Sequence, residues 1–81
     1  MITREKAKDL LAENHPDLKI KASVDLDSEW YVFAAVPDDS RNDYIGPMYA
    51  VNKQNGSLKY YHPNADIERF SRACDKSLIE Y

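Results

Sequence analysis

Leu18-Lys19-Ile20-Lys21-Ala22-Ser23-Val24-Asp25-Leu26-Asp27-Ser28-Glu29-Trp30-Tyr31-Val32-Phe33-Ala34-Ala35-Val36 is the stretch that decides the fold. Leu18, Ile20, Ala22, Val24 and Leu26 are apolar, and the residues between them are polar. Side chains of an extended chain point alternately to two sides. This period of two therefore predicts a strand over 18–27 with one buried and one wet face. Asp27-Ser28-Glu29 reads as a turn. Trp30 to Val36 is apolar without a break, the pattern of a central strand or one covered on both faces, and Pro37 ends it. A three-residue turn cannot carry a parallel crossover, so these two strands pair antiparallel.

Working outward, Thr3 has a hydroxyl that can cap a helix, and Ile2 and Ala7 sit at staple spacing around it. Ala7, Leu10 and Leu11 make one apolar stripe, and Pro16 disfavours helical geometry at His15, which predicts a helix over 3–14. Residues 37–47 form a long polar loop rich in turn formers. Strands are predicted over 48–52 and 57–61. Lys53-Gln54-Asn55-Gly56 joins them as a hairpin turn in which Gly56 takes positive φ. Pro63-Asn64 opens a last helix over 64–75, with Ile67, Phe70 and Cys74 as its stripe. The fold class is α+β: an antiparallel four-stranded meander with the N-terminal helix across one face and a C-terminal helix, in the order α-β-β-β-β-α. Leu10, Leu11, Ile20, Val24, Val32 and Met48 are expected to share one core, with Leu18 and Leu26 at its ends.

With 81 residues the chain holds one domain. A formal net charge of −3 with scattered lysines and arginines argues against a nucleic-acid binder, which needs concentrated basic surface. No apolar run approaches membrane-spanning length. Cys74 is the single cysteine, so no disulfide forms within one chain. The opening residues Met-Ile-Thr-Arg-Glu lack the apolar stretch of a signal peptide, and a cytoplasmic location is expected.

Candidate chemistry is sparse, and no catalytic residue, metal ligand or cofactor site is assigned. Asp25, Asp27 and Glu29 have the spacing of a calcium loop, but Trp30 stands where glycine is needed and Val36 where the bidentate glutamate belongs. They are read as a solvated strand end. His15 and His62 lack ligand-spaced neighbours. Cys74 lies on an apolar helical stripe and is expected to be a free, unreactive thiol. A hydrolase or ligand-binding module using the Tyr60-Tyr61-His62 corner lacks a base with an orienting partner. The aromatic residues carry more weight. Trp30, Val32, Ala34 and Val36 face one way, and Tyr31, Phe33 and Ala35 the other. One set packs on the first helix, and the other needs cover from the last helix, a second copy or a partner. Tyrosine and tryptophan are enriched at interfaces because they join apolar area to a polar handle.

Trp30-Tyr31-Val32-Phe33, then Gly46-Pro47-Met48-Tyr49-Ala50-Val51-Asn52-Lys53-Gln54-Asn55-Gly56-Ser57-Leu58, then the acidic helix start Asp66-Ile67-Glu68-Arg69-Phe70, resemble the YrhB-like bacterial immunity-protein family over about residues 28–72. A weaker resemblance is to PepSY-type domains, which share a helix, paired strands and a hairpin. Both resemblances imply binding rather than catalysis. The expectation is a small cytoplasmic bacterial or prophage interaction protein, not an enzyme, of the kind represented by an immunity protein that binds and blocks a toxin. Its partner is a protein, with neither nucleic acid nor membrane involved. The expected contact region is the acidic loop, with Asp38, Asp39 and Asp43 around Tyr44 and Ile45. The alternative is a homodimeric structural protein pairing through an open aromatic sheet face.

Overall fold

The computed structural model describes residues 1–37 and 48–81. Helix α1 (Arg4–Asn14) is followed by strands β1 (Leu18–Asp25), β2 (Trp30–Pro37), β3 (Met48–Asn52) and β4 (Leu58–Tyr61). A single 3-10 turn (Pro63–Ala65), helix α2 (Ile67–Ser77) and a short strand β5 (Ile79–Glu80) complete the described chain. All pairings are antiparallel, and the sheet order is β4-β3-β2-β1-β5. The α+β meander flanked by two helices is thus as expected, with β5 as an addition. After α2 the chain returns along the outer edge of β1, where Ile79 pairs with Ser23 and Glu80 with Ala22.

Local chemistry sets the boundaries. The Thr3 hydroxyl accepts a hydrogen bond from Lys6 N at 3.1 Å and caps α1. In the β1–β2 turn, Asp27 Oδ1 accepts from the backbone N–H groups of Glu29 and Trp30. In the β3–β4 hairpin, Asn52 Oδ1 accepts from Gln54 N and Asn55 N, and Gly56 takes φ 74°. The positive φ calls for glycine, and a Cβ there would stand 2.9 Å from Leu10 Cδ1, a terminal methyl that would have to shift.

The core differs from the expected one. Lys21 is an extra residue in β1, because the register with β2 shifts between Ile20 and Ala22. A bulge moves the following residues to the opposite face. Leu18 and Ile20 therefore share a face with Tyr31, Phe33, Ala35, Tyr49 and Val51, and this set packs under Ala7 and Leu11 of α1. Val24 and Val32 are buried on the other side. By strand alternation Ala50 and Met48 share that side, which α2 covers with Phe70, Ala73, Cys74 and Ser77 at helical spacing. The single core of Leu10, Leu11, Ile20, Val24, Val32 and Met48 is thus two half-cores divided by the sheet. Ile67, expected on the α2 stripe, is 57% exposed, because the helix begins only at that residue and turns Phe70 and Ala73 inward.

Candidate partner-binding cleft

On the α2 side, the β1–β2 turn, the start of α2 and the edge strand β4 enclose a shallow cleft. Trp30 opens β2 at its floor and is half-buried. Lys59 of β4 lays its ammonium over the indole, 4.1 Å from the ring centroid, a cation–π contact that holds both side chains in place. Tyr61, on the same face of β4, packs its ring against Phe70 of α2 at 5.9 Å. Its hydroxyl is buried and has no hydrogen-bond partner among the described residues. Burial first, and then the Asp66 carboxylate, push the Tyr61 phenol above its usual pKa, while Arg69 pulls the other way.

Arg69 forms the far wall. Its Nη2 donates to Asp66 Oδ2 at 2.7 Å and its Nη1 to Asp27 Oδ2 at 2.8 Å, clamping α2 to the β1–β2 turn. The Asp66 carboxylate, by charge and by hydrogen bond, raises the guanidinium further above its usual value. Glu29 and Ser28 complete an acidic rim on which Arg69 is already engaged. The cleft therefore combines two aromatic anchors, an orphan hydroxyl and surplus negative charge.

The acids that suggested a calcium loop have other occupations. Asp25 accepts from Lys53 Nζ, Asp27 holds the turn and Arg69, and Glu29 stands on the rim. Lys53 is only 6% exposed, donates also to the Asp27 carbonyl, and lies 4.7 Å from the Tyr31 ring centroid. His15 packs its ring against Tyr49 at 4.9 Å, and His62 is exposed at the end of β4. Cys74 is a free, half-buried thiol whose pKa is raised by burial and then by Asp75. The expected contact residues Asp38, Asp39, Asp43, Tyr44 and Ile45 lie outside the described residues.

Trp30 on its strand face and Tyr61 in the Tyr60-Tyr61-His62 corner stand out in the sequence, but nothing in it joins them to Arg69. The Asp27–Arg69 pair spans 42 positions, and only the antiparallel path from β4 into α2 brings its members together. The hairpin sets Lys59 opposite Ala50, but the pairing of Trp30 with Asn52 belongs to the β2–β3 ladder, which no short turn fixes, so the contact of Lys59 with Trp30 was not readable from the sequence.

No family model, no curated protein and no solved structure matches the chain. Among the described residues no helix is long and apolar enough to cross a membrane.

Proposed function

We propose that this protein acts by binding a protein partner through the Trp30–Tyr61–Arg69 cleft, and that the partner presents a basic side chain to its acidic rim. The observation that carries this reading is the Tyr61 hydroxyl. A buried hydroxyl with no bond costs free energy that a phenylalanine would avoid. Association that loosens the Tyr61–Phe70 contact and lets a partner group bond the hydroxyl would offset that cost. Tryptophan, tyrosine and arginine are also the residue types that dominate interface energetics when they line a desolvated pocket. The rim carboxylates of Asp27, Glu29 and Asp66 would steer a basic partner and speed its encounter.

The resemblance to YrhB-like immunity proteins supports a toxin domain as that partner, in a bacterial or prophage setting. The lone cysteine suits a reducing cytoplasm. In the sequence, Asp38, Asp39 and Asp43 around Tyr44 and Ile45 form a second candidate contact region for the same partner. The test is to look for a toxin gene beside this one and to co-express its toxin domain with this chain. The expected result is protection of the cell and a co-purifying complex. A domain that stays toxic and purifies alone would remove the immunity reading.

A further inference from the structure

The outer edge of β4, four residues long, is open, whereas the opposite edge of the sheet is partly covered where β5 pairs with Ala22 and Ser23 of β1. Among the described residues no strand pairs with it. The direction of its backbone groups follows from the ladder. Asn52 N donates to Ser57 O across the β3–β4 pair, so position 57 is hydrogen-bonded toward β3. Antiparallel alternation then turns Lys59 and Tyr61 inward and leaves the N–H and C=O of Leu58, Tyr60 and His62 aimed outward.

We propose that two copies of this chain pair through this edge, β4 against β4, about a two-fold axis at Tyr60. A two-fold axis perpendicular to the sheet requires one residue to face its own copy. Only Leu58, Tyr60 or His62 can do so with hydrogen bonds, and Tyr60 is central among them. In that register Tyr60 pairs with its copy, and Leu58 pairs with His62 of the second copy. The pairing makes about six backbone hydrogen bonds by the antiparallel pattern. Centring on Lys59 instead would set two ammonium groups opposite each other with no hydrogen bonds between them, which disfavours that register.

Side chains favour the Tyr60 axis as well. His15, Tyr49 and Tyr60 already form a row on the α1 side, with centroids 4.9 and 5.3 Å apart. The row ends at Tyr60, which is 63% exposed. Across the axis it continues into the Tyr60, Tyr49 and His15 of the second copy, as aromatic cross-strand pairs do within a sheet. On the other side Lys59 faces the copy's Tyr61 and keeps its contact with Trp30. One pair of short strands buries less than the roughly 1,200 Å² of a standard interface, so the association belongs with weak, transient ones. This dimer rests on the outward backbone groups of β4, whereas the proposed cleft rests on the side chains of Trp30, Tyr61 and Arg69, which substitutions at Tyr60 leave in place.

Sedimentation equilibrium of the full chain, from the low micromolar to the millimolar range, tests the pairing with two variants. Tyr60→Lys sets like charges at the axis. Tyr60→Pro removes an N–H that β3 does not use, so the ladder survives while the outward bond is lost. The expected result is a wild-type monomer–dimer equilibrium, with association weakened at least tenfold in both variants and circular dichroism unchanged. A wild-type chain that stays monomeric across the range overturns the proposal. So does a dimer that persists in both folded variants.

Discussion

Lys53 and Asp25 illustrate what one ion pair does in so thin a core. The ammonium is almost fully buried, whereas the side chain of its carboxylate partner is 43% exposed. Removing either partner therefore has unequal consequences. Asp25→Ala leaves a buried cation with only the Asp27 carbonyl and the Tyr31 ring, and a loss of about 1–3 kcal/mol is expected, discounted for the exposure of the pair. Lys53→Met leaves a carboxylate that water can solvate and fills the same space with apolar atoms, so a change within about 1 kcal/mol is expected. Urea unfolding of the two variants checks the order, and equal losses would mean that the pair acts symmetrically. Tyr61 is the second informative residue. Tyr61→Phe should leave stability unchanged or raise it by up to about 1 kcal/mol, because it deletes only an unbonded hydroxyl. Tyr61 and Tyr49 both titrate above the usual tyrosine value through burial. Folding thus favours their protonated forms. That contribution is fully present below the unfolded value near pH 10 and is lost as pH rises through the higher folded values. The melting temperature should fall across that range, and less steeply in Tyr61→Phe.

Among the elements, β1 explains both what the sequence revealed and what it concealed. Its alternation marks a strand because each apolar residue does face a core, but not the same core. The bulge at Lys21 carries no glycine or proline to announce it, and a period of two looks unbroken when polar and apolar residues keep their order through the extra position. The hairpin at Gly56 was legible for the opposite reason: its positive φ restricts the residue type locally. Gly56→Ala should cost about 1–2 kcal/mol through the left-handed backbone, before any displacement of Leu10 is added. β5 has only two residues and no periodicity to read, and it exists because α2 delivers the chain to the free edge of β1. There Tyr81 is held by its hydroxyl against Ser23 Oγ at 2.8 Å and by Lys8 over its ring. Helix α1 supplies the firmest stability test. Leu11 is fully buried under the sheet, and Leu11→Ala should cost about 2–5 kcal/mol in denaturant unfolding. Helix α2 supplies a chemical one. Cys74 has a raised pKa and partial cover, so the native thiol should react with a maleimide or disulfide reagent far more slowly than the unfolded chain does. Equal rates would show that α2 does not hold its place on the sheet.

At the scale of the whole molecule, a twisted sheet covered by one helix on each side leaves its function to corners and edges. Tyr31 and Phe33, which the sequence offered as an open aromatic face, are closed by α1. What stays accessible is the corner where β4 enters α2, with Trp30 and Tyr61 beside an acidic rim, and the outer edge of β4. Neither was legible in the sequence as a site: the corner joins the β1–β2 turn to β4 and α2, which lie far from it along the chain, and the open edge depends on the strand order of the finished sheet. The proposed binding corner is tested most directly by calorimetric titration of a toxin domain encoded beside the gene, where one is found, with the wild-type chain, Trp30→Ala and Tyr61→Phe. We expect Trp30→Ala to weaken binding by about 2 kcal/mol or more, as the loss of a central aromatic anchor does. We expect Tyr61→Phe to weaken it by about 1–3 kcal/mol while the protein remains as stable as before. Affinity unchanged in both folded variants would contradict the assignment of the cleft and move the contact elsewhere on the molecule.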